Sequence, residues 1–231
     1  MSEEIPERGK VSRRALLAGG GAAVAGLSLG GARAAVAQGA RRPRGQVGVG
    51  TEDKNSIQMM FKIDQAGVEF TTYGYLTHIA GLKDSALFAG PQRDETTALF
   101  TVFSVTHMKG RSVNDPIHAL QVSGPMDIYL RDAPGADFGN PDSFRSGKLI
   151  ASLAGDFQSI VNVTAPDKGL ETLMGSLRQT AAHRFAFKGA SHVLGQVGLR
   201  QRVTATGDGT LLEPTEPKSV LLLAGNMVVV D

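Results

Sequence analysis

The stretch LETLMGSLRQTAAHRFAFK, residues 170–188, decides between an all-β chain and one that carries a helix. Leu170, Leu173, Met174 and Leu177 fall at i, i+3, i+4 and i+7, the spacing of a helix face. With a period of two, Leu173, Leu177, His183, Phe185 and Phe187 share a face that runs into the following segment. Thr172 and Gly175 weaken a helix, and Thr180 favours a strand. The pattern predicts one long strand.

The same alternation recurs on both sides of this stretch. Ile57, Met59, Phe61 and Ile63 alternate with Gln58, Met60, Lys62 and Asp64. Leu120, Val122, Met126, Ile128 and Leu130 share one face, and Phe157, Val161 and Val163 another. Leu199, Val203 and Ala205 oppose Arg200, Arg202 and Thr204, and LLLAGNMVVVD (221–231) closes the chain with one or two strands. Between them, AGPQRDE (89–95), KGRSVNDP (109–116), DAPGADFGNPDSFRSG (132–147), APDKG (165–169) and TGDGT (206–210) read as turns or loops. The outcome is an all-β domain over residues 57–231, a single antiparallel β-barrel of about 8–10 strands. A sandwich also satisfies the alternation, but long amphipathic strands joined by hairpins favour closure, which leaves no unpaired edge. TTALFTVFSVT (96–106) is apolar on both faces, so it requires cover by a second layer or by another subunit. A homo-oligomer joined through Thr96–Thr106 follows as an expectation.

The N-terminus has a different character. Ser12-Arg13-Arg14-Ala15-Leu16-Leu17 resembles the twin-arginine export signal, and an uncharged run from Ala15 to Gly31 follows it. Ala35-Val36-Ala37 supplies the small-x-small pattern of a signal peptidase site. Residues 1–37 are therefore expected to be a cleaved signal, with export to the periplasm, cell envelope or exterior, and 38–56 a flexible arm. The run is too short and glycine-rich for a stable membrane span. Gly26-Leu27-Ser28-Leu29-Gly30 matches the hydrolase elbow G-x-S-x-G, but no strand precedes it and Ser28 leaves with the signal.

The +2 formal charge comes from this segment. Removing Arg8, Lys10, Arg13, Arg14 and Arg33 with Glu3, Glu4 and Glu7 leaves basic and acidic residues in equal number. Arg41, Arg42 and Arg44 cluster in the arm, but a neutral domain lacks the dense basic face of a nucleic-acid binder. With no cysteine, disulfides and thiolate metal sites are excluded. The five histidines, His78, His107, His118, His183 and His192, show no tight metal spacing, and the Asp132–Asp142 loop lacks a regular calcium pattern. No metal or other cofactor is expected.

HALQVSGPMDIY (118–129) followed by VLGQVGLRQRV (193–203) resembles the paired strand segments of the allene oxide cyclase and dirigent-like barrels. The resemblance covers about a quarter of the mature chain. It implies a small eight-stranded barrel, commonly oligomeric, around an apolar ligand cavity. This chain carries longer loops, and none of its positions aligns with the cyclases' acidic catalytic residue.

Four polar residues sit on otherwise apolar strand faces. His183 keeps company with Leu177, Phe185 and Phe187, Ser159 with Phe157 and Val161, Gln201 with Leu199 and Val203, and His78 with Phe70 and Leu76. Buried polar groups need partners, so these residues either satisfy one another or orient a ligand in a lumen. On the second reading the protein is an exported barrel that binds a small, largely apolar molecule through His183, Ser159, Gln201, His78, Phe185, Phe187 and Leu177. The alternatives are an isomerase or cyclase of the allene oxide cyclase type, whose lumen would need a proton-transferring acid or His, and a structural envelope protein. The assigned core faces contain no Asp or Glu, which favours binding over catalysis, and no catalytic residue is assigned.

Overall fold

The structure, a computed structural model, describes residues 44–50, 54–215 and 217–230. The signal-like segment, Arg41 and Arg42 lie outside the described residues.

Eight strands form a closed barrel. In chain order they are β2 (Asn55–Ala66), β3 (Glu69–Ile79), β4 (Phe100–Asn114), β5 (Ile117–Leu130), β6 (Lys148–Ala165), β7 (Lys168–Ala182), β10 (Arg200–Glu213) and β11 (Lys218–Val230). All neighbours are antiparallel, and β10 paired with both β7 and β11 closes the ring. A short β1 (Gln46–Val47) with β8 (Arg184–Phe187) and β9 (Ala190–Leu194) makes a separate three-stranded sheet. The barrel is the expected fold, and closure excludes the sandwich. Part of the expected arm, Gln46 and Val47, is instead strand, paired parallel with Val193 and Leu194.

Residues 170–177 are strand, as the period-two pattern requires, and every second residue of β7 is buried from Gly169 to Gln179. The strand does not run on to Phe187. It ends at Ala182, and His183 is an exposed junction whose backbone N–H donates to the carbonyl of Ile150 at 2.9 Å.

Two expected turns are strand. KGRSVNDP belongs to β4 as far as Asn114, and only Asp115–Pro116 turns the chain. TGDGT lies within β10, where Gly207 pairs with both Glu171 and Leu223. A Cβ at Gly207 would run into the backbone of Leu222. The glycine there permits close strand approach rather than a bend. The β10–β11 turn falls instead in the proline-bearing segment after Glu213.

The hairpin connections β2–β3, β4–β5, β6–β7 and β10–β11 lie at one end of the barrel, and the long connections lie at the other. The small sheet plugs that second end. Phe185 and Phe187 are buried and meet Phe100 edge-on, with ring centroids 6.0 and 4.9 Å apart. Gln179 ties the plug down, donating to Leu194 at 2.8 Å and accepting from the N–H of Gln196 at 3.1 Å.

The two-sided apolar strand begins at Phe100 rather than Thr96. Its inner residues Phe100 and Val102 are in the core, while the segment 131–147 supplies cover on the outside. Phe138 and Phe144 stack at 5.1 Å, Phe144 packs on Tyr73 at 5.3 Å, and the Arg145 guanidinium lies over the Phe103 ring. The required second layer is thus the chain's own loop. Among the described residues, no helix is long and apolar enough to cross a membrane.

Candidate functional site

The plugged end leaves the hairpin end as the opening. There a funnel of about 500 Å³ is bounded by Val68, Met108, Leu120, Val161, Val163 and Leu211, with Arg111, His118, Asp167 and Lys168 among its polar walls. Ligand pockets for small molecules typically measure about 300–1,000 Å³. Below it is a chamber of about 40 Å³, room for two or three water-sized groups. Met59, Phe61, Phe157, Leu173 and Val203 form much of its wall. Phe70, Glu171 and Leu221 line both spaces, so they mark the neck between them.

Glu171 is the residue that the sequence reading missed. It is on the inner face of β7, two positions before Leu173, and only 4 % exposed. The expectation that the core faces hold no Asp or Glu is therefore wrong. Extending the face of Leu173 and Leu177 back by one period would have found it. Leu170, next to it, points outward and is half exposed at 52 %.

Ser159 Oγ donates to Glu171 Oε1 at 2.7 Å. No cation pairs with the carboxyl among the described ion pairs. Loss of water is the larger influence on it, and pushes its pKa up to about 7, against the opposing pull of the Ser159 hydrogen bond. Burial therefore favours its protonated form well above the ordinary carboxylate range. It is an acid that can give a proton or take one back.

The seven residues expected at the site separate into four places. Ser159 lines the chamber, as expected of a lumen residue. Gln201 and Leu177 lie toward the closed end. Gln201 is buried and donates to Ser56 Oγ at 3.2 Å, and that hydroxyl donates to the Met227 carbonyl at 3.0 Å. Its hydrogen bonding holds β10 to β2 and β11 rather than facing the funnel. Phe185 and Phe187 belong to the plug.

The two histidines are outside the lumen. His183 is exposed because the alternation breaks between β7 and β8. His78 is turned out by a bulge: Gln58 pairs with His78 but Met59 pairs with Leu76, so Thr77 is the extra residue. One added residue shifts every later side chain to the other face. Ile79 thereby joins the core, and His78 Nδ1 meets Asp84 at 2.8 Å.

At the rim, His118 Nε2 is 3.0 Å from Asp115, and Arg111 is 3.4 Å from its Nδ1. Among the described residues, no three His, Asp or Glu side chains come together as a metal site. No family model, curated protein or solved structure matches this chain.

Proposed function

We propose that the barrel binds a small, largely apolar molecule, taken in at the hairpin end and held around the neck at Glu171. The observation that carries this reading is the continuity of an open apolar funnel with a chamber in which Glu171 is, among the described residues, the only ionisable side chain. An apolar wall with a few placed polar groups is the usual chemistry of such a pocket. The likeness of residues 118–129 and 193–203 to allene oxide cyclase and dirigent-like segments points the same way. Native mass spectrometry of the protein purified from its own host tests the proposal. A small molecule should travel with the wild type and be lost when Phe157→Trp fills the chamber. If the wild type carries no adduct and takes up no apolar probe, the binding reading is wrong.

The twin arginines and Ala35-Val36-Ala37 support export as part of this function. Arg13→Lys with Arg14→Lys should leave the precursor in the cytoplasm, and continued processing would count against the signal.

Glu171 also favours a second reading, an isomerase or cyclase in which this acid moves a proton on the bound molecule. Turnover of the co-purified molecule by wild type, abolished in Glu171→Gln with binding intact, would separate catalysis from binding alone.

A further inference from the structure

The chamber walls carry four hydroxyls and one carboxyl. Their polar side chains are Thr72, Ser104, Thr106, Ser159 and Glu171. Ser104 donates to the Pro125 carbonyl at 2.5 Å, and Ser159 donates to Glu171 at 2.7 Å. The hydroxyls of Thr72 and Thr106 belong to the same wall. Thr72 stands on β3, diametrically across the eight-strand ring from Glu171 on β7. A protonated Glu171 adds a further donor, its O–H, on the opposite wall.

A hydrocarbon filling this space would displace water from the carboxyl and hydroxyls and leave them unpaired, which is costly. A carboxylate pushed in as far as the neck would find no cation there, because Arg111 and Lys168 belong to the funnel above. A neutral carbonyl oxygen at the neck accepts from the protonated Glu171 without bringing charge.

We propose that the chamber selects a neutral apolar molecule bearing a carbonyl oxygen, a ketone or an ester, holds it through the proton on Glu171, and releases it when that proton is lost. This rests on the ligand-binding reading above. Seen from Glu171, the neighbouring walls are uncharged: Val161 and Ser159 on β6, Gly207 and Gly209 on β10, Leu221 on β11. Ile63, Thr72 and Val122 on β2, β3 and β5, and Thr106 on β4, are uncharged too. The titratable and charged groups that face it are those of the funnel, Arg111 on β4, His118 on β5, Asp167 in the β6–β7 turn and Lys168 on β7. His118 and Arg111 are engaged with each other and Asp115, and Lys168 donates to Thr210 at 2.9 Å. The proton on Glu171 is thus governed by desolvation rather than by a partner charge.

The experiment compares acetophenone with α-methylstyrene, which differ only in carbonyl oxygen against methylene, by amide chemical shifts of the full folded protein. At about pH 5.5, acetophenone should bind about tenfold more tightly, the worth of one buried hydrogen bond. At about pH 8.5 its affinity should drop at least tenfold, while that of α-methylstyrene changes little. Glu171→Gln keeps an N–H donor and should retain the preference at both pH values, whereas Glu171→Leu should erase it. Equal binding of the two probes by wild type overturns the carbonyl selection. A preference that persists unchanged at the higher pH overturns release by deprotonation. Binding of neither probe defeats the ligand-binding reading itself.

Discussion

Ser159 and Glu171 meet inside the barrel, hydroxyl to carboxyl at 2.7 Å, from adjacent strands. The pairing places Ser159 opposite Leu173 and Val161 opposite Glu171, so serine and acid lie diagonally across the β6–β7 ladder. One hydroxyl cannot replace the water that a carboxylate loses on burial. The acid is consequently kept near neutrality in its charge state, at the one point where the funnel meets the chamber.

That burial makes stability depend on pH in a definite direction. Folding moves the Glu171 pKa from 4.5 to about 7, so between those values the native state binds more protons than the unfolded chain. Stability must then fall as pH rises through this window, by an amount on the order of 3 kcal/mol that levels off above it. Below about pH 4.5 the proton is present in both states and the penalty vanishes. Glu171→Gln removes the titration. The difference in Tm between variant and wild type, measured from about pH 4 to 8, should grow in favour of the variant and then plateau. A difference independent of pH would show that Glu171 is solvated in the native protein.

The alternation was legible because a closed barrel with a packed interior obliges each strand to bury every second residue. It gave the inner faces of β2, β6 and β10 correctly, including Ser159 and Gln201. It broke down where the backbone departs from regular pairing. Nothing in EFTTYGYLTHI marks Thr77 as the bulged residue, since any of its polar neighbours could have been the extra one. The end of β7 at Ala182 is equally silent, because His183 continues the apolar spacing of a strand that has already left the barrel. Glycine misled in the opposite sense: Gly207 and Gly209 resemble a turn in sequence, yet serve close packing within one long strand.

Gly207 offers a direct test of that last point. Were it a turn residue, alanine would cost little. As an inner strand position with a Leu222 carbonyl where the Cβ would go, Gly207→Ala must push β10 away from β11. Overpacking of this kind typically costs about 1–3 kcal/mol, and backbone obstruction belongs at the upper end. Thermal or urea unfolding should show the loss, and a wild-type midpoint would return the segment to a turn.

The outer layer over β3 and β4 can be tested through Phe144. Its ring is fully buried between Tyr73 and Phe138, while its carbonyl accepts from Thr101 Oγ at 2.6 Å. Phe144→Ala deletes the ring but keeps the backbone bond, so it isolates the contribution of packing. The expected cost is about 3–5 kcal/mol, enough to lower Tm by about 10 °C in a domain of this size. Part of the apolar surface uncovered belongs to Tyr73 and Phe103, outside the barrel, so the lumen should stay intact. The variant should therefore keep its ligand or probe affinity, become sensitive to proteolysis within 131–147, and gain a tendency to self-associate through the bared face. Sedimentation and limited proteolysis read the last two effects. Loss of probe binding together with the loop would instead mean that the outer layer sets the shape of the chamber through β3.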